Sequence, residues 1–334
     1  MQIGWIIHPN RLKTMNKNKQ IITIIVIAII VVAIVGGIVW YQSLQSNELT
    51  SPLTIIDGVG RTVTITEYPD RIVSIAPSCT EILFALGLKE KVVGAPTYTN
   101  YSPEIQDSLS NGDLTNVGTF SQISVETIVG LDPDIIIAKG GYQLSTAERL
   151  AELGKTVVIV THEGFDGLLN DISLIGQVCG QDNEAEDFVG GIESRAQSIV
   201  DKTKDLDKPT VYVEYYFNGG FGSYGGDSVV NELISMAGGV NVFADVEKQY
   251  METSTEEILK ANPDIIIISK GVMSEGCGLT PETVRNRSSW SETTAVQEDQ
   301  IYEVDENMIT VAGPKLIDGL EELAKIFHPE LFDQ

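Results

Sequence analysis

The chain has 334 residues, with 22 Lys and Arg against 47 Asp and Glu and a formal net charge of −25. A surface this acidic repels nucleic acid and anionic lipid headgroups, which excludes both as partners held by charge. Cys79, Cys179 and Cys277 lie far apart without C-x-x-C spacing, which indicates neither a disulfide scaffold nor a zinc site; one bridge plus a free thiol stays open.

Residues 1–20 contain Arg11, Lys13, Lys17 and Lys19 and no acid, and residues 21–41 are uncharged and almost entirely Ile, Val, Ala and Gly. At about 1.5 Å per residue such a run spans a bilayer core of roughly 30 Å. The basic flank then belongs to the cytoplasm and everything after Trp40 to the outside. The reading is a cytoplasmic flank (1–20), a transmembrane anchor or signal (21–41) and a short stalk (42–58) with Ser, Asn and Pro. Gly36-Gly37 makes no persuasive cleavage site, which favours an anchor over a removed signal, and the start is open between Met1 and Met15. No Cys follows the run closely, so acylation as a lipoprotein is not expected. Four of the 22 basic residues and no acid lie in 1–41, leaving a net −29 on the exported part. That implies a soluble monomer and suits a partner with a basic face; adaptation to high salt gives the same composition.

Farther along, Arg71-Ile-Val-Ser-Ile-Ala-Pro77 reads as a strand entering Ser78-Cys-Thr-Glu81, whose spacing is that of a capping box opening a helix from Ile82 to Leu86. The segment Ser124-Val-Glu-Thr-Ile-Val-Gly-Leu-Asp-Pro-Asp-Ile-Ile-Ile137 recurs 130 positions later as Ser254-Thr-Glu-Glu-Ile-Leu-Lys-Ala-Asn-Pro-Asp-Ile-Ile-Ile267. Each copy is a Ser-capped helix stopped at Pro133 or Pro263 and followed by an Ile triplet typical of a buried parallel strand. A single repeat this long signals a duplicated lobe rather than a solenoid. Further strands are expected at Thr156–Thr161, Thr210–Tyr215 and Gln300–Val304, and helices at Ser228–Ala237 and Leu316–Phe327. Between the halves, Phe188, Ile192, Ala196, Ile199 and Val200 fall on one stripe of a single long helix. The fold class is therefore α/β: two Rossmann-like βαβ lobes (59–181 and 206–334), joined by one long α-helix (182–205) and preceded by an N-terminal transmembrane helix.

These phrases, with Thr80-Glu81-Ile-Leu-Phe-Ala-Leu-Gly87, Ala237-Gly238-Gly239-Val-Asn241 and His328-Pro329 in order, resemble the iron-chelate and cobalamin class of periplasmic substrate-binding proteins. The resemblance covers roughly residues 59–334. It implies capture of an iron chelate (siderophore or haem) or cobalamin for an ABC permease and its ATPase subunit, with no cofactor of its own. It also implies that Glu126 and Glu256, at matching places in the repeat, dock with the permease; otherwise each is simply an early residue favoured at its helix start. Ligands in this class sit between the lobes at the carboxyl ends of the strands, where loops hold Ser78, Tyr98, Phe120, Tyr142, Phe217, Tyr224 and Tyr250. Any one of these rings is as readily core packing. The class's pocket tryptophans are replaced here by Phe120 and Tyr250, and candidate anion-binding cations are Lys139, Lys270, Arg285 and Arg287. The ligand stays open between corrinoid, haem and siderophore.

Two rival readings share the pattern. Gly220-Phe-Gly222-Ser-Tyr-Gly225, with Asp245 farther on, spells the dinucleotide fingerprint of an extracellular Rossmann-like enzyme, but the helix starts only at Ser228; these glycines read instead as a flexible loop. A non-transport surface protein explains the anchor and acidity but not the paired lobes. His8, His162 and His328 are too few and too scattered for a metal-ion site, and no Ser or Cys sits in a recognisable nucleophile elbow.

Overall fold

The computed structural model describes residues 51–98, 101–161, 164–217, 220–271, 278–311 and 313–332, together with Leu49, 25, 27 and 30–32. The expected membrane span lies almost wholly outside these residues, as do the basic flank, His8, His162 and Cys277. Among the described residues no helix is long and apolar enough to cross a membrane.

The end of the expected stalk is not a free linker. Strand β1 (Leu53–Ile56) pairs antiparallel with β2 (Thr62–Ile65), and both Ile55 and Ile65 are buried in the core. Asp57 closes the turn by accepting from Arg61 through both its backbone N and its guanidinium, and Gly58 N donates to Ile159 O, which ties the ribbon to the first lobe.

The first lobe is a six-stranded sheet of β3 (Ile72–Ser74), β4 (Val92–Thr97), β5 (Thr115–Thr119), β6 (Gln122–Ile123), β7 (Ile135–Lys139) and β8 (Val157–Val160). Its order is β6-β5-β4-β3-β7-β8, parallel except for β6. The second lobe holds β9 (Thr210–Phe217), β10 (Gly220–Tyr224), β11 (Val240–Asn241), β12 (Tyr250–Thr253), β13 (Ile265–Lys270) and β14 (Ile301–Asp305) in the order β12-β10-β9-β13-β14, with β11 also on β9. Here β10 runs antiparallel to both β9 and β12, so Gly220 to Tyr224, read as loop, is a strand.

The repeat is structural as well as textual. Ser124 caps helix Val125–Gly130 and Ser254 caps helix Thr255–Ala261, the second through a full capping box with Glu257. Both helices lead through a left-handed residue, Asp132 (φ 45°) and Asn262 (φ 43°), into the strand that pairs parallel with the first strand of the lobe, β7 on β3 and β13 on β9. Asp134 then accepts from Arg71 N at 2.8 Å, and Asp264 accepts from Thr210 N at 2.8 Å, locking equivalent strands together. The capping box expected at Ser78 does not form. That helix runs Pro77–Ala85 with Ala76 at its N-cap, because the fixed φ of proline suits the first helical position and shifts the start upstream of Ser78.

The connecting helix Asp182–Thr203 is about 33 Å long at the standard rise. It buries Ala185, Ile192, Ala196, Ile199 and Thr203. The four apolar ones join a cluster that runs from Ile72, Ile137 and Val160 of the first lobe to Val211, Val213 and Leu320 of the second. The closing helix Leu316–Phe327 ends at His328, which is buried and sits 3.3 Å from Gly238 O through Nε2, a structural role.

Candidate functional site

The carboxyl end of β7 faces the second lobe across a cavity of about 330 Å³. Lys139, the last residue of β7, and Gly164 line it from the first lobe; Tyr224, Asp227, Ser228, Gln249, Tyr250 and Thr310 line it from the second. Tyr224 and Tyr250 form its aromatic wall, and Tyr215, which is not among the lining residues, packs against both. Tyr215 and Tyr224 have centroids 5.0 Å apart, Tyr224 and Tyr250 5.7 Å, and Tyr215 and Tyr250 6.1 Å. Burial raises the pKa of all three hydroxyls, so they act as neutral hydrogen-bonding groups.

Polar contacts among the described residues also join the lobes. The Tyr98 hydroxyl donates to Asn307 Oδ1. Lys315 pairs with Glu81 at 3.1 Å, where burial raises the carboxyl pKa and the nearby ammonium works against that rise. Glu232 accepts from Phe165 N at 2.8 Å, at the start of helix Gly164–Cys179. Gly164 is glycine for two reasons: its φ is +70°, and a Cβ would stand 2.6 Å from the Glu232 carboxylate.

Of the ring residues expected from the sequence, Tyr224 and Tyr250 line the cavity. Phe120 and Tyr142 stand at the surface of the first lobe, 40% and 86% exposed, with their rings edge to face at 6.1 Å. Tyr98 is spent on the lobe contact and packs against Tyr101. Ser78 is buried inside its helix and is not among the residues lining the cavity, while Phe217 ends β9 with its side chain outside the described residues. Glu126 and Glu256 are both exposed on their helices.

The four candidate cations separate cleanly. Arg287 donates to both oxygens of buried Glu214 at 2.7 Å and stacks on Phe221 and Trp290, with its guanidinium 4.8 and 4.3 Å from the ring centroids. Arg285 pairs with Asp299, and Lys270 pairs with Glu303 at 2.9 Å. Lys139 alone reaches the cavity. Burial lowers its pKa below the usual lysine range, with Cys79 and Asp171 opposing.

The glycine-rich phrase is also accounted for. Gly220–Tyr224 is strand β10, and a Cβ on Gly222 would stand 2.5 Å from the Tyr215 ring, so this glycine serves ring packing. It is not the strand-to-helix turn on which a dinucleotide phosphate rests. Cys79 and Cys179 are buried free thiols pushed up to about 12 by burial. Among the described residues no cluster of His, Cys, Asp and Glu is arranged to hold a metal ion. Sequence reading missed Asn307, Lys315 and Glu232, because each acquires its role only when the other lobe is in place.

Comparison with known proteins places this geometry. A family model described as periplasmic binding protein matches residues 72–308. An uncharacterized ABC transporter substrate-binding lipoprotein of Bacillus subtilis is 30% identical over 96% of this chain and 100% of its own length. A cobalamin-binding protein of Halobacterium salinarum is 28% identical over 83% of this chain and 74% of its own. Among solved structures, a periplasmic heme-binding protein from Roseiflexus sp. RS-1 superposes with a TM-score of 0.67 at 25% identity, covering 78% of this chain and 98% of that one.

Proposed function

The chain belongs to the periplasmic binding protein family, and from that premise we propose that it is the substrate-binding component of an ABC importer for a cobalamin, haem or other iron chelate. The observation that carries this reading is the cavity between the carboxyl ends of two duplicated sheets, lined from both lobes and walled by tyrosines. Aromatic faces suit a large flat ring, and their hydroxyls suit its polar rim. The protein's part is capture and delivery: the ligand bridges the lobes, and the closed form presents Glu126 and Glu256 to basic groups of the permease, whose ATPase drives release.

The relative from Bacillus subtilis is described as a lipoprotein. In this chain the first cysteine after the apolar run of 21–41 is Cys79, buried in the first lobe. A tether formed by the apolar run itself fits the sequence, with the binding lobes outside the cell. The test is to purify the full chain in detergent, incubate it with cyanocobalamin, haemin or a ferric siderophore, and follow absorbance through gel filtration. Co-elution of one chromophore at stoichiometric amount supports the reading. Failure of all three classes to co-elute sinks it.

A further inference from the structure

Among the described residues, the two large sheets end in edge strands: β6 and β8 in the first lobe, β11, β12 and β14 in the second. The outward N–H and C=O groups of an edge invite another strand unless something blunts them. Four of these edges carry their own protection. Strands β6 and β11 are only two residues long, β12 holds Glu252, and β14 holds Glu303 and Asp305. The fifth, β8, is Val157-Val-Ile-Val160 between Thr156 and Thr161, an uncharged run of β-formers without Gly or Pro. Ile136 N donates to Thr156 O and Gly140 N to Val160 O, so Val157 and Ile159, one residue out of phase, turn their backbone groups away from β7. The turn between β1 and β2 occupies those groups. Gly58 N donates to Ile159 O at 2.7 Å, Ile159 N donates to Asp57 Oδ2 at 3.3 Å, and Arg61 Nη2 donates to Val157 O at 3.0 Å. The Asp57 carboxylate also holds Arg61 in place, accepting from Nε at 2.9 Å and Nη2 at 2.7 Å, and is itself buried. A turn thus completes this edge, and a turn offers no further ladder to a newcomer.

We propose that the turn of residues 57–61 guards a latent self-association surface, whose partner is β8 of a second copy of this chain, paired edge to edge about a two-fold axis. An identical strand supplies the same outward groups and the same uncharged side chains, as an isologous contact requires. The formal net charge of −25 keeps copies apart at low salt. Salt screens that repulsion and leaves backbone pairing intact, so the guard matters most at high ionic strength.

The test is sedimentation of the full chain, in detergent, at low and at high salt. D57A/R61A removes the side chains that seat the turn, and Gly58→Val pries it off, since a Cβ there would stand 2.9 Å from Ile159 O. Arg287→Met, which strands the buried Glu214 carboxylate in the other lobe, controls for mere loss of stability. Each variant is measured below its own melting temperature. The native chain and Arg287→Met are expected to stay monomeric, and both turn variants to shift to dimers and larger species at high salt. Hydrogen exchange should then find residues 156–161 protected in the assemblies and faster to exchange in the variant monomers. Turn variants that stay monomeric overturn the inference, as does assembly of Arg287→Met to the same extent. Assemblies in which residues 156–161 exchange freely overturn it too, because another surface then joins the copies.

Discussion

Replacing Lys139 by Met separates the ligand chemistries that the cleft admits. Lys139 is the one cation among the residues lining the cavity, and burial already holds its ammonium below the usual lysine range. Two unit charges 4 Å apart attract by about 4 kcal/mol at an effective dielectric near 20. With roughly half of that lost to ligand desolvation and salt, about 2 kcal/mol remains, a factor of roughly 30 in Kd. An anionic ligand, such as a haem with its propionates or a ferric catecholate, should lose about that much affinity, whereas cyanocobalamin should lose little. Stability should move the other way. Because the folded pKa is depressed, the unfolded chain binds more protons between that value and the ordinary 10.5, so the native protein gains stability as pH rises through this window. Below the window the lysine costs the fold its full desolvation. Methionine, of similar length and uncharged, removes that cost, so Lys139→Met should melt higher at neutral pH, with the advantage shrinking as pH approaches 10.5. Titration of the full chain with each ligand and thermal melts across pH provide the measurements. Unaltered affinity for every anionic ligand, together with an unaltered melting temperature, would refute the assignment of Lys139 to recognition.

Four further outcomes are expected. Gly190→Ala and Gly191→Ala, exposed in the connecting helix with open space around a would-be Cβ, should each stabilise the protein by roughly 0.5–1 kcal/mol in urea titrations; destabilisation would mean that the helix bends there. Arg287→Met strands the buried Glu214 carboxylate and should cost about 3–5 kcal/mol at neutral pH. Burial already raises the Glu214 pKa, so this deficit should shrink as acid protonates it, and a deficit independent of pH would contradict the account. Lys315→Met together with Tyr98→Phe removes two contacts made only between apposed lobes, and should weaken ligand binding several-fold without lowering the melting temperature of the unliganded chain by more than a few degrees. Finally, Cys79 and Cys179, buried and with thiols pushed up to about 12, should resist a thiol reagent at mildly alkaline pH until the protein is unfolded.

How far the sequence reveals this protein depends on how far apart the cooperating residues lie. The closing helix Leu316–Phe327 and the capped repeat helices come out as expected, because a local apolar period and a Ser three residues before the backbone N–H it accepts from suffice to specify them. The first helix is misjudged by five residues because two local signals compete there, and the proline at its first position prevails over the Ser78 spacing. Strand β10 is misread as a loop because three glycines suggest freedom, while Gly222 is there to seat the Tyr215 ring of the paired strand β9. The cations illustrate the limit most clearly. Four basic residues look equivalent in the sequence, yet Arg287 belongs to Glu214, 73 positions away, and Arg285 and Lys270 belong to Asp299 and Glu303. Structure removes three of them from the cleft by supplying partners that no local pattern reveals. One half-buried lysine then remains beside the rings of Tyr224 and Tyr250, within a cavity lined from both lobes. A ligand's charge and its aromatic face are therefore read at one place, which is why removing a single ammonium is expected to sort the candidate ligands.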